Sequence, residues 1–353
     1  MYRLKIEPIG ETVPVAERQT ILDACLRAGI WLPHACGHGL CGTCKISVVE
    51  GEIDRGAASS FALMDFERDE GRALACSATL SSDAVIEADI DEDPDARHHP
   101  VRDFVGRVSL VRKLTPDIRG IGIELEGSGI AFQAGQYINV EVPGVPERRA
   151  FSLANPPYEP TRLELHVRRV PGGKATAWLH EGLQTGDRLD FSGPYGRFFV
   201  RKSATEPMIF LAGGSGLSSP KAMILDLLAE GRPTPIVLIH GVRSRKDLYF
   251  GDLFRNLSAR HGNFTYVPAL SAPEDGDVWD GEVGFVHEVA QRHFAGRFAG
   301  HKAYLCGPPL MIEACINVLM KGRLFERDIY LEKFATAADG AASLARSPLF
   351  KRI

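Results

Sequence analysis

The sequence predicts a multidomain protein of three modules: an α+β module, an antiparallel β-barrel, and an α/β module on a parallel sheet. Three observations carry this. Residues 1–92 mix strand-like alternation with one helical stretch. Residues 103–203 hold short strands separated by turn residues. From residue 204 apolar strands alternate with helical stretches. A chain of 353 residues is long enough for two or three domains.

In the first module "YRLKIEP" and "ETVPVAE" alternate as a hairpin does, and "TILDACLRAGI" sets Ile21, Leu22, Cys25 and Leu26 at helical spacing. Thr20 is placed to cap that helix and Gly29 to end it. "KISVVEG" and "AVIEADI" read as further strands. The stretch "DEDPDARHHPVRD" is charged, proline-bearing and aperiodic, which makes 93–102 a linker.

"FVGRVSLVRKL", "IRGIGIEL", "QYINVEV", "RLELHVRRV" and "RLDFSGPYG" are spaced as barrel strands. Beyond them "PMIFLAGGSG" is an apolar strand entering a glycine turn, "KAMILDLLAEG" is helical and "PIVLIHGVR" is a buried strand. "KAYLCGPPLMIEACINVLMKG" is a strand, a turn and a helix. The predicted bounds are 1–92, 93–102, 103–203 and 204–353.

Hydrophobic residues at 44% and charged residues at 24% fit a soluble globular chain. No run approaches the roughly 18 apolar residues of a membrane span. "MYRLKIEPIG" alternates like a strand and lacks a signal peptide's apolar core, so the expected compartment is the cytoplasm. There, seven cysteines argue against a disulfide scaffold. The net charge of −4 divides unevenly: residues 1–100 carry 9 Lys+Arg against 18 Asp+Glu, or −9, and the rest carry 32 against 27, or +5. The acidic module suits charged protein surfaces, although solvated acidic turns give the same balance. No basic stripe interleaves with aromatics, so nucleic acid is not an expected partner.

"PHACGHGLCGTCKISVVEGE" crowds three cysteines into nine residues, as Cys36-x4-Cys41-x2-Cys44, with Cys76 as a distant fourth. This is the plant-type [2Fe–2S] spacing. Zinc sites pair their ligands as two short clips and no second clip follows, although His34 and His38 keep zinc as a rival. Gly37, Gly39 and Gly42 permit backbone angles that turn amides toward a cluster's sulfides. Cys25, on an apolar helical face, reads as a core residue.

A [2Fe–2S] cluster accepts one electron at a time, which raises the question of the donor. In "ERRAFSLANPP" Arg149 is suited to a phosphate or ribityl oxygen, Phe151 offers an aromatic face and Ser152 a hydroxyl for a flavin nitrogen. "RRVPGGKATAWLHEGL" sets Gly172 and Gly173 before a helix expected from near Thr176, and a helix N-terminus suits a pyrophosphate. "FLAGGSGLSSPKAMI" is a strand, glycine turn and helix suited to a dinucleotide, without the full G-x-G-x-x-G pattern. "YLCGPPLMIEA" repeats that geometry, with Cys306 at the carboxyl edge of the sheet or simply a buried thiol closing a strand.

Together these stretches resemble the ferredoxin–NAD(P)H reductase superfamily, in the branch that fuses a plant-type ferredoxin to a flavin barrel and a nucleotide domain. The flavin motif Arg-x-Tyr/Phe-Ser matches Arg149, Phe151 and Ser152. The phosphate motif Gly-Gly-x-x-Ser/Thr matches Gly172, Gly173 and Thr176. The turn Gly-Gly-Thr/Ser-Gly matches Gly213, Gly214, Ser215 and Gly216, and Cys-Gly-Pro matches Cys306, Gly307 and Pro308. "LACSATLSSDAVIEADIDEDPD", "GGSGLSSPKAMILDLL" and "EKFATAADG" are most similar to the reductase component of multicomponent phenol hydroxylases. Two departures stand out. Ser219 occupies a position where many relatives have proline, and Phe151 lacks tyrosine's hydroxyl.

The resemblance implies a β-grasp ferredoxin fold for the first module, with Cys36, Cys41, Cys44 and Cys76 holding [2Fe–2S]. It implies FAD contacts from the motif residues, from their neighbours Ala150, Lys174 and Ala175, from the strand residues His166, Val167 and Arg168, and from the late aromatic Phe334, for which packing on the nucleotide domain is an alternative. It implies NADH contacts from the glycine turn, Arg243, Ser271, Cys306, Gly307 and Pro308. Ser152 and Cys306 are the expected catalytic pair, with no acid–base triad.

Electrons would pass from NADH through FAD and the cluster to a diiron oxygenase partner. Rival clients are a Rieske dioxygenase and a methane- or toluene-type monooxygenase, and a sensor without turnover is the rival class. Glu274, Asp275 and Asp277 would repel a 2′-phosphate and favour NADH, although Arg243, Arg245 and Lys246 oppose them.

Overall fold

The structure, a computed structural model, describes residues 1–34, 37, 39–90, 93–274, 276 and 278–335. The described residues fall into two compact units, Met1–Arg102 and the part from Asp103 onward.

The first unit contains β1 (Tyr2–Glu7), β2 (Glu11–Val15), α1 (Ile21–Arg27), β3 (Lys45–Glu50), β4 (Ile53–Asp54), α2 (Asp65–Asp69), β5 (Arg72–Leu74), β6 (Thr79–Leu80) and β7 (Ala84–Ala88). Its main sheet has the order β2-β1-β7-β3-β5, and β1 and β7 run parallel. Alternation does the work here: Leu4 and Ile6 are fully buried while their neighbours face outward. Thr20 caps α1 by accepting the Asp23 amide at 3.2 Å, and Gly29 follows the helix at φ 82°. Residues near the expected linker run back along α1, where the Val101 amide donates to the Leu26 carbonyl at 3.0 Å.

The second unit begins with β8 (Arg102–Lys113), β9 (Ile118–Leu125), β10 (Tyr137–Val140), β11 (Arg149–Ser152), β12 (Arg162–Arg168), α3 (Lys174–Glu181) and β13 (Arg188–Tyr195). The strand order is β11-β10-β13-β8-β9-β12, and an antiparallel bridge from Leu153 to Leu165 joins its two edges into a barrel. The helix α3 starts at Lys174, two residues before the predicted Thr176, because Gly173 already has an extended N-cap geometry. Thr176 instead turns its hydroxyl back to the Gly173 carbonyl at 3.2 Å.

The remainder contains β14 (Met208–Gly213), α4 (Ser218–Ala229), β15 (Ile236–Val242), α5 (Gly251–Arg260), β16 (Phe264–Leu270), β17 (Glu282–Val283), α6 (Val286–His293), β18 (Lys302–Gly307), α7 (Pro309–Lys321) and β19 (Ile329–Lys333). The sheet order is β17-β16-β15-β14-β18-β19, and its pairs are parallel. In β14, Met208, Phe210 and Ala212 join one core and Ile209 and Leu211 another, so both faces are covered. The chain leaves β14 toward β15 and later returns to its other side at β18. The carboxyl ends of β14 and β18 therefore flank the switch point, where such sheets bind ligands. Ile118, Phe198 and Val200 of the barrel share the core that holds Phe210 and Tyr304, which makes one unit of barrel and sheet.

Candidate redox site

In the first unit Cys44 and Cys76 are buried and are hydrogen-bond partners, and Cys41 is partly buried. The Gly39 amide donates to the Cys76 sulfur at 3.2 Å. Gly39 has φ 71°, and a Cβ there would stand 2.8 Å from the Ala57 carbonyl oxygen, so only glycine brings this amide to the sulfur. None of the described cysteines is in a disulfide. Among the described residues no three His, Cys, Asp or Glu make a metal-holding set, and the fourth predicted ligand, Cys36, lies outside them, as does His38. Converging sulfurs with an inward amide fit an iron–sulfur cluster. His34, the described member of the zinc rival, turns Nδ1 to the Leu32 carbonyl at 2.9 Å. Cys25 is fully buried in the core.

In the second unit the barrel meets the sheet at Glu332, a residue of β19 that sequence reasoning passed over. Its Oε2 accepts the Ser152 hydroxyl at 3.0 Å and the Ser219 hydroxyl at 3.0 Å, and the Cys306 sulfur lies 3.8 Å away. Burial raises the Glu332 pKa, the two hydroxyls oppose it, and the result is about 7. The two predicted catalytic residues thus share one carboxylate, and Cys306 is both fully buried and at the end of its strand. The available signal was "YLEKF", in which a charged residue interrupts an apolar strand.

A second polar cluster lies beside it. Lys221 of α4 donates to Glu164 Oε2 at 2.7 Å and to the Ala154 carbonyl at 2.9 Å. Glu164 Oε1 contacts His166 Nε2 at 3.0 Å. Burial opposes ionisation of Glu164, but His166 and Lys221 prevail and hold its pKa at about 2. Tyr249 donates to the Gly214 carbonyl at 3.2 Å and lies 3.4 Å from His166 Nδ1.

Around the predicted flavin position, the outer side of Gly172 is open, with no atom within 4 Å of a Cβ built there. The first-turn amides of α3, at Lys174 and Ala175, have no intrahelical acceptor. Phe151 is partly buried against the barrel core and Ala150 is exposed. The Arg149 guanidinium reaches Glu147 at 3.1 Å. The other predicted contacts have protein partners. The Val167 carbonyl accepts from His180 at 2.8 Å, Arg168 pairs with Asp117 at 3.0 Å, and Phe334 packs on the core of the sheet. A loop with open space at a helix N-terminus, beside a strand carrying Arg149 and Ser152, fits a flavin nucleotide.

At the switch point Gly213 ends β14, and Gly214–Leu217 forms a single 3-10 turn leading into α4. A Cβ on Gly216 would lie 2.2 Å from the Cys306 carbonyl oxygen, so the turn sits directly on β18. Ser215 is buried, Gly214 faces open space, and Pro308 caps α7. That combination fits a dinucleotide pyrophosphate. At the neighbouring strand ends the Ser271 amide donates to the Val242 carbonyl at 2.9 Å, and the Ala272 amide to that of the exposed Arg243 at 2.8 Å. Lys246 is paired with Glu274, while Asp275 and Asp277 lie outside the described residues.

Three family models match in order: a 2Fe-2S iron-sulfur cluster binding domain at residues 4–81, an oxidoreductase FAD-binding domain at 106–200 and an oxidoreductase NAD-binding domain at 210–316. The chain is 58% identical over 352 residues to the phenol 2-monooxygenase reductase component DmpP of Pseudomonas sp. (strain CF600), covering 100% of this chain and 99% of that one. It is 56% identical, with the same coverage, to the phenol hydroxylase P5 protein of Acinetobacter pittii (strain PHEA-2). Among solved structures, the Amycolatopsis cytochrome P450 reductase GcoB matches with a TM-score of 0.87 and 36% identity, over 96% of this chain and 100% of that one.

Proposed function

Because the chain belongs to the ferredoxin-reductase family, in the branch that joins iron–sulfur, flavin and nucleotide modules, we propose that it is the reductase component of a phenol-hydroxylating system. It oxidises NADH and passes the electrons to the oxygenase component. The observation that carries this is the end-to-end match to two phenol hydroxylase reductases, with all three modules in the same order.

In this reading Cys36, Cys41, Cys44 and Cys76 hold the cluster, and the Gly39 amide steadies the Cys76 sulfur. Arg149, Phe151 and the N-terminus of α3 hold FAD, and the turns at Gly213–Gly216 and Gly307–Pro308 hold the dinucleotide. When bound, these cofactors convert a two-electron hydride donor into single-electron steps, chemistry that no side chain here supplies. The protein positions and tunes. The Ser152 hydroxyl donates a hydrogen bond to Glu332 Oε2, which fixes the orientation of Oγ; its lone pairs would remain available to a bound flavin. With a pKa of about 7, Glu332 can hold or release a proton at Oε2, and Ser152 Oγ is the atom it reaches. The Cys306 thiol is kept neutral, since burial pushes its pKa well up.

The acidic first module faces the oxygenase, in keeping with its balance of −9. The reading places the protein in the cytoplasm and gives nucleic acid no part. No helix among the described residues is long and apolar enough to cross a membrane. The test is reconstitution: holoprotein, NADH, and purified oxygenase with its effector protein should hydroxylate phenol only when all are present. Failure with phenol hydroxylases and success with a Rieske dioxygenase would overturn the client.

A further inference from the structure

Ser219 is fully buried on the first turn of α4, yet its hydroxyl does not turn back onto its own helix, as Ser218 does onto Ser215. It reaches Glu332 Oε2, 113 residues away, at 3.0 Å. Ser152 donates to the same oxygen at 3.0 Å, and the Cys306 sulfur stands off at 3.8 Å. A carboxylate oxygen offers about two lone-pair positions. Two hydroxyls at 3.0 Å fill them, and the thiol makes only the longer, weaker sulfur hydrogen bond at 3.8 Å.

We propose that Ser219 is a positioning residue of the NADH-oxidising site: it fills one lone-pair position on Glu332 Oε2, confines the Ser152 hydroxyl to the other, and leaves the Cys306 thiol only its longer 3.8 Å contact with the carboxylate. This rests on the reading above, in which Ser152 and Glu332 belong to the flavin site and the turn after Cys306 holds the dinucleotide. Three groups face Glu332 Oε2: Ser152 from the barrel, Ser219 from α4 and Cys306 from β18. Of these only Cys306 is titratable, and burial holds it protonated. Each hydroxyl favours the ionised carboxylate, so loss of either raises its pKa.

The experiment uses the full chain loaded with FAD and the cluster, as wild type, Ser219→Ala, Ser219→Thr and Glu332→Gln. The Glu332 carboxyl is titrated by infrared difference spectroscopy, using the band absent from Glu332→Gln, and no turnover is needed for that reading. NADH oxidation with ferricyanide as acceptor then gives kcat and KM against pH. Removing one hydrogen bond to a charged group should raise the midpoint by about one pH unit in Ser219→Ala. At pH 7 kcat should fall several-fold with KM for NADH little changed, and Ser219→Thr should restore both. If Ser219→Ala loses its cofactors, Ser219→Gly removes the same hydroxyl and takes its place. A midpoint unmoved in the hydroxyl-free variant, or moved equally in Ser219→Thr, would overturn the proposal. Wild-type turnover matched by Glu332→Gln would overturn instead the reading on which it rests.

Discussion

The Lys221 ammonium lies 2.7 Å from Glu164 Oε2 and ties the helix after the Gly214–Leu217 turn to strand β12 of the barrel. Lys221 has a side-chain exposure of 6% and Glu164 of 24%, so the pair is largely out of water. Through His166 and Tyr249 the same cluster reaches the Gly214 carbonyl. One polar assembly thus joins the barrel to the turn expected to carry the dinucleotide.

Breaking this pair from one side strands a buried charge. Lys221→Met should destabilise the second unit by about 3–5 kcal/mol, whereas the double variant Lys221→Met/Glu164→Gln should recover most of that loss. Thermal unfolding of the four proteins of this cycle checks it. A double-variant loss equal to the sum of the two single losses would mean that the pair is not coupled.

Gly39→Ala should cost the cluster. The new Cβ would meet the Ala57 carbonyl oxygen at 2.8 Å in a left-handed backbone, so the amide must leave the Cys76 sulfur. Iron and acid-labile sulfide should fall well below the wild-type content while flavin content is unchanged.

Glu332 gives a pH signature with a definite sign. Its folded pKa of about 7 exceeds the ordinary 4.5, so the unfolded chain releases this proton first and stability falls as pH rises between those values. The loss is absent below pH 4.5, complete above about 7, and amounts to at most about 3 kcal/mol. Glu332→Gln removes it. The Tm of Glu332→Gln relative to wild type should therefore rise between pH 4.5 and 7 and then stay level.

The module order was legible because each fold class writes a different period. Strand alternation put Leu4 and Ile6 in the core, and the strand–turn–helix rhythm located Gly213 at the switch point. The cysteine loop was legible from spacing alone, although Cys36 lies outside the described residues. What stayed hidden was long-range. Glu332 is 180 residues from Ser152 and 113 from Ser219, and Lys221 is 57 from Glu164. No local pattern announces such pairs, because only the closed barrel lying against the sheet creates them. Arg168, an expected FAD contact, pairs with Asp117 just before the start of the neighbouring strand β9, a partner its own stretch of sequence does not show.

NADH should be preferred to NADPH. Glu274 already engages Lys246, leaving that cation committed before a 2′-phosphate arrives. Equal or higher kcat/KM with NADPH would show that this segment does not face the ribose. Glu274→Ala should narrow the preference by releasing Lys246.

In this protein one chain is proposed to turn NADH into single electrons at an iron–sulfur centre. Anaerobic titration of the holoprotein with NADH, followed by visible absorbance and electron paramagnetic resonance, tests it most directly. The flavin should bleach together with the appearance of the signal of a reduced [2Fe–2S] cluster. Flavin reduction without that signal, or protein that carries zinc and no iron, would contradict it.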